Sequence, residues 1–120
     1  MREIDLKLTA VISVHNEQHQ LSECLKTLSF ADEIVVVLDK CTDKSSDIAR
    51  KFTDQIIYGA WDKEGARRNT AIAACHGQWI FEIDADERVP DELAQEILKT
   101  IETTKYDWHE ILVDNYVGSS

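Results

Sequence analysis

The chain contains the stretch Trp79-Ile80-Phe81-Glu82-Ile83-Asp84-Ala85-Asp86-Glu87, an apolar run of strand type that ends abruptly in carboxylates. Side chains two residues apart in a strand point to the same face, so Asp84 and Asp86 are predicted to project together. Open α/β sheets bind ligands at the carboxyl ends of their strands. A divalent cation held between these carboxylates and a phosphate would relieve their mutual repulsion. The alternative is an ordinary acidic loop that enters a helix, because Asp-x-Asp alone is a weak signal.

The rest of the chain alternates between strand and helix patterns. Strands are predicted at 8–14, 33–38, 55–58 and 79–84, helices at about 18–28, 45–52, 64–75 and from 90 onward, and a further strand at 110–117. Gly77 is predicted to end the third helix in the left-handed conformation. This order predicts an α/β fold with a mainly parallel (mixed) sheet and helices on both faces.

Polar residues follow three of the predicted strands. His15-Asn16-Glu17 follows the first strand, Asp39 ends the second, and the pair Asp84 and Asp86 ends the fourth. If these strands are neighbours, their polar ends converge on one crevice. Packing of a core does not require polar residues at the ends of three strands. Their presence at all three therefore predicts a ligand site.

Composition and charge narrow the class of protein. The 120 residues suit a single domain, residues 1–120, and the net charge of −10 argues against a nucleic-acid partner. The three cysteines are widely spaced and form no CxxC pair, which favours reduced thiols over a disulfide framework or zinc. No signal peptide opens the chain, and no apolar run approaches the ~20 residues of a membrane span. A cytoplasmic location is therefore expected, with a peripheral contact at the inner face of the membrane left open.

The sequence offers no glycine-rich cradle for a phosphate. It has only four glycines and contains neither GxGxxG after the first strand nor GxxxxGK[ST]. A metal ion held by Asp84 and Asp86 is then the simplest device for binding a diphosphate. Hard oxygen ligands suit Mg²⁺ or Mn²⁺. Arg67 and Arg68, near the start of the third helix, would add positive charge.

Four segments resemble glycosyltransferase family 2, the nucleotide-sugar transferases of the GT-A (Rossmann-like) fold. These segments are residues 9–17, Val35-Val36-Val37-Leu38-Asp39 followed by Thr42-Asp43, Arg68-Asn69, and Asp84-Ala85-Asp86, which matches the DXD motif of the family. A wider set further resembles a bacterial subgroup that includes lipopolysaccharide-core glucosyltransferases: Trp61, Gly65, Arg68-Asn69, Trp79 and the run 84–88. Four motifs in the expected order are more specific than any one, and they span nearly the whole chain.

The resemblance implies a metal-dependent, inverting transfer of a sugar from a nucleotide diphosphate sugar, with UDP as the family-level expectation. The acceptor would be a saccharide or a lipid-linked sugar of the cell envelope. By the same resemblance, the nucleotide sugar is bound by Thr9, Asn16, Glu17, Asp39, Arg68 and Asp84, and the metal, Mg²⁺ or Mn²⁺, by Asp86 and Asp84. His15, Lys40-Cys41 and Ala71 depart from the family pattern and leave the base preference open.

Ordinary structural roles compete with these assignments. Asn16 could be a helix N-cap, Asp39 a loop cap, and Arg68 a solvated helix residue. Members of the family carry the acceptor site and catalytic base well after the DXD motif, so the chain is expected to be a truncated, donor-binding half without its base. Loss of the acceptor half would expose apolar surface, which leaves homodimerisation open.

Two other classes of protein remain as alternatives. One is a nucleotide-sugar-binding module without transfer activity. The other is a receiver-like signalling domain, which is also acidic, doubly wound and Mg²⁺-binding. A receiver needs paired acids after the first strand and an aspartate after the third, whereas here the third strand ends in Tyr58-Gly59.

Overall fold

The computed structural model describes residues 7–103 and 109–112, which form five strands and four helices in strict alternation. The strands are β1 (Leu8–Val14), β2 (Glu33–Asp39), β3 (Gln55–Gly59), β4 (Trp79–Asp84) and β5 (His109–Leu112). The helices are α1 (Leu21–Lys26), α2 (Ser45–Ala49), α3 (Glu64–Ala73) and α4 (Asp91–Thr103). Within these ranges, no helix is long and apolar enough to cross a membrane.

The predicted order of elements is confirmed, but the first three helices are shorter than predicted. Helix α1 begins at Leu21 because residues 18–20 first form a turn, in which the carbonyl of Glu17 accepts the N–H groups of Gln20 and Leu21. The last predicted strand is present as β5, and its continuation beyond Leu112 lies outside the described residues.

The strands form one sheet in the order β3-β2-β1-β4-β5. Each pairing between neighbouring strands in this order is parallel, as the helical crossovers require. Strand β1 therefore lies between β2 and β4, so the three strands with polar ends are neighbours. A receiver-like fold would instead insert β3 between β1 and β4. The observed strand order therefore contradicts the alternative of a receiver-like domain.

Helices cover both faces of the sheet, as predicted. Helices α1, α2 and α4 pack on one face, against alternate side chains of β1, β2 and β4 that include Ile12, Leu38 and Phe81. Helix α3 packs on the other face, where its Ala71 belongs to a cluster of buried side chains with Val11, Val35, Val37 and Ile80. Burial of each large side chain contributes roughly 1.5–3 kcal/mol, so these contacts fix α3 firmly across the three central strands.

Gly77 has a different role from the one that the sequence predicted. No described glycine has a positive φ, and α3 ends earlier, at Ala73, so the expected left-handed helix terminator is wrong. Gly77 instead lies against Thr9, where its N–H donates to Thr9 Oγ1 at 2.9 Å. A Cβ on Gly77 would lie 2.7 Å from that oxygen and 2.8 Å from the backbone nitrogen of Thr9. Only glycine permits this approach.

A network of hydrogen bonds to the Glu33 carboxylate lies at the amino-terminal ends of β1 and β2, the same edge of the sheet at which Gly77 contacts Thr9. Glu33 accepts hydrogen bonds from Thr9 Oγ1 at 2.7 Å, from the backbone N–H of His76 at 2.8 Å and from His76 Nδ1 at 2.7 Å. Burial of the carboxyl group favours its neutral form, but the hydrogen bonds from His76 and Thr9 outweigh burial and lower the pKa of Glu33.

This lowered pKa makes the contribution of Glu33 to stability dependent on pH. The carboxylate stabilises the fold above the pKa of the unfolded chain, roughly 4.3, and its contribution is lost as the pH falls through the lower pKa of the folded state. We expect the difference in unfolding free energy between the wild type and Glu33→Gln to shrink between about pH 5 and pH 3. Urea unfolding across this range measures it. A difference that stays constant would contradict the prediction.

Candidate functional site

A cleft of about 240 Å³ opens at the carboxyl ends of the central strands, on the face covered by α3. Its polar lining consists of Ser13 from β1, Glu82 and Asp84 from β4, Glu87 beyond β4, and Glu64, Arg67 and Arg68 from α3. Strand side chains alternate between faces, so Ser13 follows Val11 on the α3 side, and Glu82 and Asp84 follow Ile80. The cleft thus lies at the edge where open α/β sheets bind ligands.

Three carboxylates gather in the turn that follows β4. One oxygen from each of Asp84, Asp86 and Glu87 lies within 4.8 Å of the others. The backbone does not stay extended as the sequence suggested: the N–H of Glu87 donates to the Asp84 carbonyl at 3.0 Å, and Glu87 Oε1 accepts the N–H of Asp84 at 2.9 Å. This acidic turn brings the two aspartates together and adds Glu87. Such a set of hard oxygen donors fits Mg²⁺ or Mn²⁺.

Arg88 and Cys24 contact backbone carbonyl groups of the acidic turn. Arg88 Nη1 donates to the carbonyls of Ala85 at 3.2 Å and Glu87 at 2.9 Å. The thiol of Cys24 is buried beneath the turn, 3.7 Å from the Asp84 carbonyl, and burial raises its pKa to about 12. Cys24 is therefore a neutral core residue.

Asp39 lies at the end of β2 with only 8% of its surface exposed. Its Oδ1 accepts the backbone N–H of Trp61 at 3.1 Å, and its Oδ2 lies 3.3 Å from Arg67 Nη1. Its backbone carbonyl lies 2.8 Å from His15 Nδ1, which therefore carries a proton. Arg67 also lies 3.7 Å from Glu64, while its buried Nε has no hydrogen-bond partner among the residues that the structure describes.

Arg68 forms an ion pair with Glu82 inside the cleft. Its Nε lies 3.0 Å from each carboxylate oxygen, and its Nη2 lies 2.8 Å from Oε2. Neighbouring residues on a helix point about 100° apart, which lets Arg67 reach β2 while Arg68 reaches β4. Arg68 is thus more than a solvated helix residue. Glu82 was not predicted as a site residue, although a charged residue within a buried strand is a signal for a partner.

Asn16 and Glu17 hold the loop after β1 against the loop after β2. Asn16 adopts a left-handed φ of 54°, and its Oδ1 accepts the N–H groups of Thr42 at 2.7 Å and Asp43 at 3.2 Å. The N–H of Glu17 donates to Ser45 Oγ at 3.2 Å. Because Asn16 is bonded to this loop and α1 begins at Leu21, the alternative of an N-cap for α1 is wrong.

Thr9 lies away from the other expected site residues. It is the second residue of β1, it is fully buried, and its hydroxyl is bonded to Glu33 and Gly77 at the opposite edge of the sheet. The expectation that Thr9 contacts a nucleotide is therefore corrected, since the core separates its side chain from the cleft. Of the expected site residues, Asn16, Glu17, Asp39, Arg68, Asp84 and Asp86 do lie at the carboxyl edge or in the helix that covers it.

With this edge defined, the family of the chain follows from its similarity to known proteins. Residues 9–116 match the model of glycosyl transferase family 2, and the chain belongs to this family. The region matched includes the strands, helices and acidic turn just described. The resemblance noted in the sequence is thereby confirmed.

Two similar bacterial proteins have names that state what they glycosylate or help to synthesise. The lipopolysaccharide core biosynthesis glycosyltransferase LpsC of Rhizobium meliloti is 32% identical over 98 residues, covering 78% of this chain and 36% of LpsC. The poly(ribitol-phosphate) beta-glucosyltransferase of Bacillus spizizenii is 33% identical over 100 residues, covering 72% of this chain and 16% of that enzyme. The chain thus spans only about a third, or less, of the length of these relatives.

A solved structure gives the same fold. Staphylococcus aureus TarS superposes with a TM-score of 0.65 at 21% identity, covering 81% of this chain and 20% of TarS. This likeness confirms the predicted GT-A type of α/β fold.

Proposed function

We propose that the chain forms the donor-binding part of a metal-dependent, inverting glycosyltransferase that uses a nucleotide diphosphate sugar, most simply a UDP-sugar. The observation that carries the proposal is the convergence of Asp39 and the acidic turn on one edge of a parallel sheet in a family 2 chain. The acceptor would be a saccharide or lipid-linked sugar of the cell envelope, since relatives are named for lipopolysaccharide-core and poly(ribitol-phosphate) glycosylation.

Asp39 is proposed to recognise the nucleotide base. Among the described residues, each of its oxygens accepts one hydrogen bond, from Trp61 or from Arg67, and each keeps a second lone pair. A carboxylate of this kind accepts an N–H group and rejects a base that offers only acceptors. Asn16 and Glu17 would border the base, because they shape the neighbouring loop.

The acidic turn is proposed to hold the metal through Asp84, Asp86 and Glu87. A bound Mg²⁺ or Mn²⁺ supplies Lewis-acid stabilisation of the charge that develops on the departing nucleoside diphosphate. The residues of the chain fix the site for this step: Arg88 bonds the carbonyls of the turn, and Glu87 bonds the N–H of Asp84. We assign no catalytic base among the described residues.

Titration calorimetry of UDP tests the proposal. With Mn²⁺, we expect the wild-type chain to bind UDP, and we expect EDTA or the Asp86→Ala substitution to weaken binding by about tenfold or more. Asp54→Ala is the matched control, since it removes an exposed carboxylate at the start of β3, at the opposite edge of the sheet. It should bind as the wild type does.

The other outcomes of this titration are equally informative. Binding of UDP that is indifferent to EDTA would remove the metal from the proposal and leave Asp84 and Asp86 as ribose contacts or loop caps. A folded wild-type chain that binds no UDP in any condition would contradict the proposal itself. The cytoplasmic location, the peripheral membrane contact and the homodimer stay predictions.

A further inference from the structure

The loop between β3 and α3 carries a tryptophan whose ring lies against the last residue of β3. A Cβ on Gly59 would lie 2.4, 2.7 and 2.8 Å from three carbon atoms in the six-membered ring of Trp61. The ring therefore occupies the space that the side chain of any other residue at position 59 would need. No described glycine has a positive φ, so this space, and not the backbone conformation, requires a glycine at the end of β3.

The ring of Trp61 is also packed against the core beneath α3. Trp61 is half-buried and packs against the cluster of buried side chains that contains Val37 and Ala71. Position 59 faces the same side of the sheet as Ile57, which borders the same cluster. The ring is thus bounded by Gly59 and by apolar side chains, so it can move away from Gly59 only if the loop moves with it.

The backbone of Trp61 holds the carboxylate of Asp39. The N–H of Trp61 donates to Asp39 Oδ1 at 3.1 Å, and Arg67 Nη1 lies 3.3 Å from Oδ2. Asp39 and Gly59 are partners in the register of β2 and β3, and the N–H of Lys40 donates to the Gly59 carbonyl at 2.8 Å. The ring and the backbone N–H of Trp61 therefore contact the same pair of strand ends.

A second link between this loop and β2 is weak. Lys40 Nζ lies 4.0 Å from Asp62 Oδ1, and the Asp62 side chain is fully exposed. Exposed ion pairs of this kind add little to stability. Packing of the ring is therefore the contact that is suited to place the Trp61 N–H at Asp39.

We propose that Trp61 is a positioning residue for base recognition: its ring, lying on Gly59, sets its own N–H against Asp39 and fixes the direction in which the carboxylate faces the base. This inference rests on the proposed function, in which Asp39 accepts an N–H group of the base. With one oxygen bound by Trp61 and the other by Arg67, the plane of the carboxylate is held. Without the ring, the N–H leaves Oδ1 and the carboxylate turns, so the preorganisation that gives discrimination is lost.

Two ligands that differ at a single nitrogen of uracil test the inference by calorimetry. UDP carries a hydrogen on N3 and N3-methyl-UDP carries a methyl group there, so the ratio of their dissociation constants reports the contact with Asp39. We expect the wild-type chain in Mn²⁺ to prefer UDP by about tenfold or more, because a site built to accept a hydrogen bond rejects a ligand without the donor. We expect Trp61→Ala to weaken UDP binding by about tenfold and N3-methyl-UDP binding by less than about twofold.

The substitution Gly59→Ala moves the ring without removing it. The atoms that the new Cβ would meet lie at the far end of the Trp61 side chain, so β3 can stay in place while the ring and its loop are displaced. We therefore expect Gly59→Ala to lose discrimination as Trp61→Ala does. The double variant should discriminate no worse than either single variant, because both changes act through the same contact.

Gly65→Ala is the matched control for Gly59→Ala. Gly65 is exposed, and a Cβ built there meets no atom of the described residues within 4 Å outside its own helix backbone and chain neighbours. This variant should prefer UDP to N3-methyl-UDP as strongly as the wild type does.

Hydrogen exchange of the backbone amide at position 61 tests the positioning without any nucleotide. The bond to Asp39 should protect this amide in the wild type, and Gly59→Ala and Trp61→Ala should each lower its protection factor by about tenfold, whereas Gly65→Ala should not. A chain that bound no UDP would contradict the proposed function, and the exchange measurement would still decide whether the ring holds the N–H. The two failures are therefore distinguishable.

Several results would overturn the inference. If Trp61→Ala weakened both ligands equally, a purely structural role of the ring would explain the loss. Unchanged protection of the amide in the folded variants would show that the ring does not place the N–H. A wild type that binds UDP without preferring it to N3-methyl-UDP would remove the contact that Trp61 is proposed to position. If Trp61→Ala does not fold, Gly59→Ala decides alone, since it keeps every side chain of the loop.

Discussion

Replacement of Gly77 by alanine is expected to lower the unfolding free energy by about 3 kcal/mol. The added Cβ would lie 2.7 Å from Thr9 Oγ1, 2.8 Å from Thr9 N and 3.0 Å from the carbonyl carbon of Leu8. Two of these atoms belong to the backbone of β1, which is held between β2 and β4 and cannot shift cheaply. Any relief would also break the hydrogen bond from Gly77 N–H to Thr9.

Gly65→Ala provides the matched control for this prediction. Gly65 is the second residue of α3, and no atom of the described part of the chain outside its own helix backbone and neighbours lies within 4 Å of a Cβ built there. Alanine should leave stability unchanged or raise it by up to about 1 kcal/mol, because it is the better helix former. Urea unfolding followed by circular dichroism compares the two variants. Similar effects at both positions would contradict the close packing described at Gly77.

The role of Gly77 could be predicted from the sequence only in part. A glycine just after a helical pattern is most often a left-handed helix terminator. The close approach of its backbone to β1, the other reason for a glycine, is visible only in the structure. Periodicity reports local structure. The contact between Gly77 and Thr9 joins segments far apart in the chain, so no local pattern carries it.

The misplacement of Thr9 has a similar cause. The resemblance covered the first strand as a whole, but a residue's place along a strand decides which edge of the sheet it reaches. Thr9 is the second residue of β1, so it lies roughly 16 Å from the carboxyl end at about 3.3 Å per residue. Asp39 and Asp84, which end their strands, could be placed correctly because their position in the pattern gives the edge directly.

The acidic turn was predictable in composition but not in geometry. Alternation along an extended chain predicted that Asp84 and Asp86 share one side, and the structure reaches a similar grouping through a turn. The turn depends on side-chain bonds, from Glu87 to the backbone of Asp84 and from Arg88 to two carbonyls. These bonds could not be read from strand periodicity. The same holds for the pairing of Arg67 with β2 and Arg68 with β4.

Asp39→Asn is expected to have the second large effect, on stability and on nucleotide binding together. The substitution keeps an acceptor for the Trp61 N–H but removes the charge that faces Arg67. The mostly buried guanidinium would then keep only the exposed Glu64 carboxylate, 3.7 Å away, as an ion-pair partner among the described residues, and its Nε would still have no hydrogen-bond partner there. Breaking one side of such a pair costs about 3 kcal/mol, so urea unfolding should show a loss of this size.

A double variant separates the two consequences of this change. Asp39→Asn combined with Arg67→Met removes both charges, so it should recover part of the lost stability, because no buried charge is left unpaired. It should not recover UDP binding in Mn²⁺, which we expect to fall by about tenfold or more in both variants, since each lacks the carboxylate proposed to accept the base. Asp62→Asn, a fully exposed aspartate 4.0 Å from Lys40, serves as the control and should change neither quantity. If UDP binding returned with stability in the double variant, Asp39 would act only through the fold, and its proposed contact with the base would be wrong.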